Sequence, residues 1–131
     1  MIVVDTNVGA CLYLPGSFTA RAEALLRADA QWAAPVLWRS EFRNIPAGHM
    51  RRGSLTLGQA TALQAEAEGM LRGSEYEVDS ADVLALVRNS NCSAYDCEFV
   101  ALATKFGVQL VTMDAKLRRA FPQRCVALPA P

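Results

Sequence analysis

The chain has 131 residues, with 13 basic and 13 acidic side chains and 52% hydrophobic residues. This length fits one domain over 1–131, since domains most often run to about 100–150 residues, and the apolar share is enough for a packed core. No stretch approaches the roughly 20 apolar residues that cross a bilayer, and the N-terminus lacks the basic start, long apolar run and cleavage site of a signal peptide, so a soluble cytoplasmic protein is expected.

In chain order, helices and strands alternate, which predicts a mainly parallel sheet with helices on both faces. Residues 2–5 read as a short, fully buried strand. Phe18, Ala22, Leu25 and Leu26 then fall at helical spacing, giving a helix of about three turns. A second strand is expected at 32–34, with Pro35 suited to the first turn of a helix over 36–52 that Gly53 ends. Pro46 lies inside that helix. It removes a hydrogen bond and crowds the preceding turn, so a kink or break is predicted near 43–45. Ser54-Leu55-Thr56 opens a further helix carrying Leu57, Ala60, Leu63, Ala67 and Leu71 along one face. A strand at 76–78 follows, and Asp79 then caps a helix bearing Val83, Leu84 and Val87. After Ser93, residues Tyr95, Phe99, Leu102, Ala103 and Phe106 recur at 0, 4, 7, 8 and 11, an amphipathic helix ended by Gly107. Residues 108–112 form a buried strand, 115–121 a short helix and 125–128 a last strand before a proline-rich tail.

Four acids stand where elements start or stop: Asp5, Glu41, Asp96 and Asp114. Each has a plain structural explanation. Asp5 would cap a helix opening at Thr6, Asp114 would cap 115–121, Ser93-x-x-Asp96 matches a capping box, and Glu41 could be a solvated helix charge. Only Asp5, in the loop after a buried first strand, favours function when taken singly. In α/β sheets, ligands bind at the carboxyl ends of the strands. Carboxylates converging there raise one another's pKa, so the set as a whole points to a hard divalent cation.

Val4-Asp5-Thr6-Asn7, the helix around Glu41, the Tyr95-Asp96 helix head and Leu110-Val111-Thr112-Met113-Asp114 resemble, in that order, the PIN-domain ribonucleases. The order and spacing look most like the small VapC-type toxins of toxin–antitoxin pairs. The resemblance spans essentially the whole chain. It implies a three-layer α/β/α domain around a mainly parallel sheet, and a ribonuclease that uses Mg²⁺ or Mn²⁺. Asp5, Glu41, Asp96 and Asp114 would be its catalytic carboxylates, with Asp5, Asp96 and Asp114 on the metal and Glu41 orienting or deprotonating the water. Asn7 and Thr112 match supporting polar positions. Glu98, two residues from Asp96, is at the wrong helical spacing to share its face and is expected to meet solvent or a partner. The resemblance also implies a cognate antitoxin, whose Arg could fill the acidic pocket, and a homodimer with Leu12, Tyr13, Leu14 and the Glu41 helix as contributors. Proline at 46 departs from the family pattern.

Charge is unevenly distributed. Arg39, Arg43, Arg51 and Arg52 share one segment, and Lys116, Arg118, Arg119 and Arg124 another, whereas 54–87 is acidic. If the basic segments meet beside the acids, Arg39, Arg43, Lys116 and Arg118 become candidates to hold single-stranded RNA; the bland alternative is a mixed surface. Cys11, Cys92, Cys97 and Cys125 read as small core hydrophobes, with a redox role for the Cys92–Cys97 pair a minor alternative. His49 is the only histidine, which argues against two-histidine ribonuclease chemistry. Trp32, Trp38, Phe42 and Met50 are expected in the core or an interface. No Gly-rich phosphate loop or GxSxG segment occurs. A receiver-type phosphotransfer domain would need paired acids after the first strand and a lysine after the last, and neither is present. A PIN-like RNA- or protein-binding module without catalysis stands as the alternative function.

Overall fold

A computed structural model describes residues 1–130, leaving Pro131 at the end of the proline-rich tail outside the described residues. Five short strands occur: β1 Ile2–Val4, β2 Trp32–Pro35, β3 Glu75–Tyr76, β4 Leu110–Val111 and β5 Cys125–Val126. They form one sheet in the order β3-β2-β1-β4-β5, every pairing parallel. Val3 lies opposite Ala33 on one side and Leu110 on the other. Val3, Val4, Ala33, Ala34, Leu110 and Val111 are all buried, because a central parallel strand is covered on both faces and needs no polar alternation.

The helices are α1 Thr6–Tyr13, α2 Thr19–Ala28, α3 Trp38–Arg51, α4 Leu57–Met70, α5 Ser80–Arg88, α6 Ala94–Phe106 and α7 Ala115–Ala120. The path from β1 through β2 to β3 moves across the sheet one way, and the path from β3 through β4 to β5 moves back. Right-handed crossovers therefore set α1–α4 on one face and α5–α7 on the other. The expected three-layer α/β/α architecture follows. The strand order reverses between β1 and β4, which makes the carboxyl end of that pair the topological switch point. Among the described residues, no helix is long and apolar enough to cross a membrane.

Several local expectations need correction. Pro35 does not open a helix; it ends β2. The flanking amides of Ala34 and Val36 donate to Ser74 and Tyr76, so the proline occupies a ladder position where β3 needs no donor. The helix expected over 36–52 accordingly starts at Trp38. Pro46 does not break it. Trp38, Phe42 and Pro46 recur four apart as its buried residues, and that apolar stripe holds the helix together across the missing hydrogen bond. Tyr95, placed by its spacing on the buried face, is 62% exposed. It belongs to the opening turn of α6, ahead of the buried run Phe99–Ala103. Leu57 and Leu84 are also exposed, with Ala60 and Val83 buried in their helices instead; Met50, expected in the core or an interface, is outside the core. Strands expected at 76–78, 108–112 and 125–128 are shorter than their apolar runs. Gly107 ends α6 as expected, with φ 64° and its amide on the Ala103 and Thr104 carbonyls.

Phe42 anchors the Glu41 helix. It is fully buried, with Trp38 and Tyr13 packed edge-on at ring-centroid distances of 5.6 and 6.2 Å. Phe42→Ala is predicted to lower unfolding free energy by about 3–5 kcal/mol. A urea titration showing less than about 1 kcal/mol would contradict this packing.

Candidate active site

Asp5 follows β1 directly and caps α1. Its backbone is extended there, and its Oδ1 accepts the Thr6 amide at 2.8 Å. Oδ2 accepts the Thr112 hydroxyl at 2.7 Å and the Asn7 side-chain amide at 3.3 Å. Thr112 follows β4, so its hydrogen bond to Asp5 spans the switch point. The same hydroxyl oxygen accepts the Asp114 amide at 3.0 Å. A second tie closes the junction: the Met113 amide donates to Asn7 Oδ1 at 3.2 Å.

Glu41 comes from the first turn of α3, where its Oε1 accepts the Thr6 hydroxyl at 2.8 Å. Asp96 lies in the first turn of α6, its amide capped by Ser93. The charges of Glu41 and Asp96 both act on Asp5, and those of Asp96 and Glu98 act on Glu41. Thr6 thus links Asp5 and Glu41, and the charge of Asp96 acts on both. Asp114 is the outlying acid. Its Oδ1 caps α7 by accepting the Lys116 and Leu117 amides at 2.9 and 3.4 Å, and its link to Asp5 runs through Thr112.

Burial dominates the electrostatics. It pushes the Asp5 carboxyl up from 3.8 to about 6, with Glu41 and Asp96 adding to the rise and the Thr112 and Thr6 hydrogen bonds opposing it. Burial likewise raises Glu41, offset by the Thr6 hydroxyl and reinforced by Asp96 and Glu98. Glu98 is raised by burial as well. These are oxygen donors, suited to hard cations rather than to zinc or copper. Among the described residues, no three His, Cys, Asp or Glu side chains close into a ready-made cage for an ion.

Two participants escaped the sequence reading. Thr6 was quoted only as part of Asp5-Thr6-Asn7, yet its hydroxyl joins α1 to Glu41; a hydroxyl directly after a candidate acid was the available signal. Glu98, expected to meet solvent or a partner, is half-buried, and its charge acts on Glu41.

The basic candidates divide. Arg39 bonds Glu75 through Nε at 2.5 Å and Glu68 through Nη1 at 3.0 Å, so two acids of the 54–87 segment fold back onto the basic helix and neutralise this arginine. Arg118 donates to the Thr112 carbonyl at 2.9 Å. Arg43 and Lys116 are exposed. Cys92, Cys97 and Cys125 are buried free thiols, and Cys11 is half-buried. Of the residues considered for a dimer, Leu12, Tyr13 and Leu14 are half-buried, and the Tyr13 hydroxyl is tied to Met70 Sδ at 3.2 Å.

A parallel three-layer domain with buried and half-buried acids at its switch point defines a class, and comparison with known proteins narrows it. No protein-family model matches the chain. Over 124 residues the chain is 31% identical to Ribonuclease VapC3 of Pyrobaculum aerophilum, covering 92% of this chain and 95% of that protein. Its fold matches the crystal structure of PAE2754 from Pyrobaculum aerophilum with a TM-score of 0.76 at 18% identity, covering 97% of this chain and 90% of that one. A toxin–antitoxin complex from Klebsiella pneumoniae gives a TM-score of 0.71 at 17% identity over 100% of both chains. FitAcB from Neisseria gonorrhoeae gives 0.70 at 18% identity, with 98% and 97% covered. The chain belongs to the VapC-type family of PIN-domain ribonucleases.

The raised Asp5 carboxyl has a consequence for stability. Between pH 3.8 and about 6 the folded protein holds a proton that the unfolded chain has released. This contribution therefore makes the fold more stable as pH falls through that window and less stable above it. The full penalty above pH 6 is about 3 kcal/mol. Without divalent cations, Asp5→Asn is predicted to raise unfolding free energy at pH 7.5 by about 1–3 kcal/mol and to change it much less at pH 5. Equal effects at the two pH values in urea titrations would refute the assignment of a buried, ionised Asp5.

Proposed function

We propose that this chain is a metal-dependent endoribonuclease and the toxin of a toxin–antitoxin pair. The observation that carries the reading is the Asp5 carboxylate, buried at the switch point of a chain 31% identical to a ribonuclease. In this reading Asp5, Asp96 and Asp114 hold Mg²⁺ or Mn²⁺, directly or through water. The ion, when bound, lowers the pKa of a nucleophilic water and neutralises charge on the scissile phosphate. Glu41, its carboxyl raised by burial, orients that water and takes its proton. Thr6 fixes the Glu41 oxygen, and Thr112 and Asn7 fix the Asp5 carboxylate, so the acids are aimed before substrate arrives. Mg²⁺ keeps several waters and uses one or two direct carboxylates, which suits acids that form no closed cage.

That same openness favours a second reading, a PIN-like binding module without catalysis. Cleavage of labelled single-stranded RNA separates the two. Mg²⁺- or Mn²⁺-dependent cleavage, lost with a chelator and reduced at least about a hundredfold by Asp5→Asn, is the expected result. Thr6→Val should cost about tenfold and Thr6→Ser restore most of it, as for other groups that orient a ligand. RNA binding that ignores both metal and Asp5→Asn, with no cleavage, would identify the module.

The fold neighbour from Klebsiella pneumoniae is a toxin–antitoxin complex. By analogy, a small antitoxin covers the acidic pocket, and a basic side chain, Arg by preference, occupies it in place of metal. Co-expression with the product of a neighbouring short reading frame should yield a stable complex and relieve growth inhibition. Growth unaffected by the chain expressed alone would count against the toxin reading.

A further inference from the structure

Two hollows of opposite character border the opening of α6. One, of about 420 Å³, is lined by Val36, Tyr76, Glu77, Val83, Leu84 and Glu98; it adjoins the group through Glu98, whose charge reaches Glu41. The other, of about 450 Å³, is lined by Asn89, Ser90, Asn91, Cys92, Lys116 and Arg119, with no acid among its walls. It lies between the loop that leads into α6 and one side of α7, from Lys116 in its first turn to Arg119 in its last; Asp96 and Asp114 stand at the openings of these two helices. Asn91 and Cys92 immediately precede the Ser93 cap, and the Lys116 amide sits on Asp114 Oδ1 at 2.9 Å.

We infer that the second hollow is the phosphate track for the substrate strand, with Lys116 and Arg119 as its cations and Asn89, Ser90 and Asn91 as neutral hydrogen-bonding groups. The inference deepens the ribonuclease reading and rests on it. A polyanion is repelled from the hollow that holds Glu77 and Glu98 and drawn to the one whose only charged walls are Lys116 and Arg119. Arg39 is engaged by Glu68 and Glu75, Arg118 by the Thr112 carbonyl, and Arg124 by the Val108 carbonyl; Arg88, next to Asn89 in the chain, is exposed but does not line the hollow. Lys116 and Arg119 are exposed and enter none of the three ion pairs among the described residues. No aromatic side chain lines this hollow, so it offers no surface on which a base can stack. Its chemistry is that of backbone binding, which sets affinity and register without reading sequence.

The test uses the full chain with single-stranded RNA as probe. Steady-state cleavage is measured for wild type, the Lys116→Ala/Arg119→Ala double variant, the charge-preserving Lys116→Arg/Arg119→Lys variant, and Arg27→Ala, which removes an exposed charge on α2 that lines neither hollow. Binding of the same RNA is measured by anisotropy in the Asp5→Asn background, between about 50 and 200 mM salt. The double alanine variant should raise KM about tenfold with kcat within about twofold. The slope of log affinity against log salt should fall by about 1.4, two phosphate contacts on a single strand. Arg27→Ala should behave as wild type, the charge-preserving variant should keep the wild-type salt slope even if its KM changes, and unchanged thermal melting should show that α7 is intact. Cleavage by wild type with KM and salt slope unaltered in the double alanine variant overturns the track and leaves the nuclease standing. No cleavage by wild type, with binding still dependent on Lys116 and Arg119, overturns the nuclease and leaves the track. RNA that fails to bind at all overturns both.

Discussion

One hydrogen bond, from the Thr112 hydroxyl to Asp5, ties the two strands between which the sheet changes direction. Thr112 is fully buried and Asp5 is 8% exposed. A carboxylate taken this far out of water tends to neutralise itself unless donors surround it. Thr6, Asn7 and Thr112 supply those donors, and all three come from segments that the sheet brings to one place. Burial still wins: the carboxyl remains well above its ordinary range. The protein thus maintains, at the end of its central strand, a charge that its own fold opposes. Sites of this kind are commonly retained because function uses the unfavourable charge.

The distribution of cations follows from how the acidic segment folds. In the sequence, basic 39–52 and acidic 54–87 are neighbours, and α3 and α4 pack as an antiparallel pair joined by a short loop. That geometry brings Arg39 to Glu68 and to Glu75 on β3, removing it from any role near the acids. The α5–α6 side has no such compensation. Its loop and α7 carry amides and unengaged cations, and the asymmetry between the two flanks arises from this difference in pairing rather than from net charge, which is zero.

Much of the architecture was legible because the physics is local. Buried parallel strands are continuous apolar runs, the α6 residues repeat at helical spacing, and Gly107 and Asp79 mark helix ends by geometry that few other residues satisfy. The failures depended on packing that the local pattern does not display. Pro35 ends a strand because β3 needs no donor from it, and Pro46 is tolerated because Trp38 and Phe42 hold its helix against the core. Tyr95 is exposed because its turn precedes the buried part of α6. At the candidate site, Asp5 could be singled out from its position after a buried strand, but the Thr6–Glu41 contact spans 35 residues and has no local signature. Arg39 looked like a free cation for the same reason, since its partners are 29 and 36 residues away.

Asp114 shows how a capping acid and a site acid can be one residue. Its Oδ1 is committed to the first amides of α7, which is the plain helix-cap reading. A carboxylate has two oxygens, however, and capping uses only one of them. Its amide rests on the same Thr112 hydroxyl that holds Asp5, so the start of α7 is registered to the central strand. Lys116 and Arg119 are carried by that helix. Their distance from Asp5 is therefore set by a continuous chain of bonds, Asp5 to Thr112 to Asp114 to the Lys116 amide, with no flexible loop in between. Function and capping do not compete at Asp114, because the cap is what fixes the basic flank relative to the acidic one.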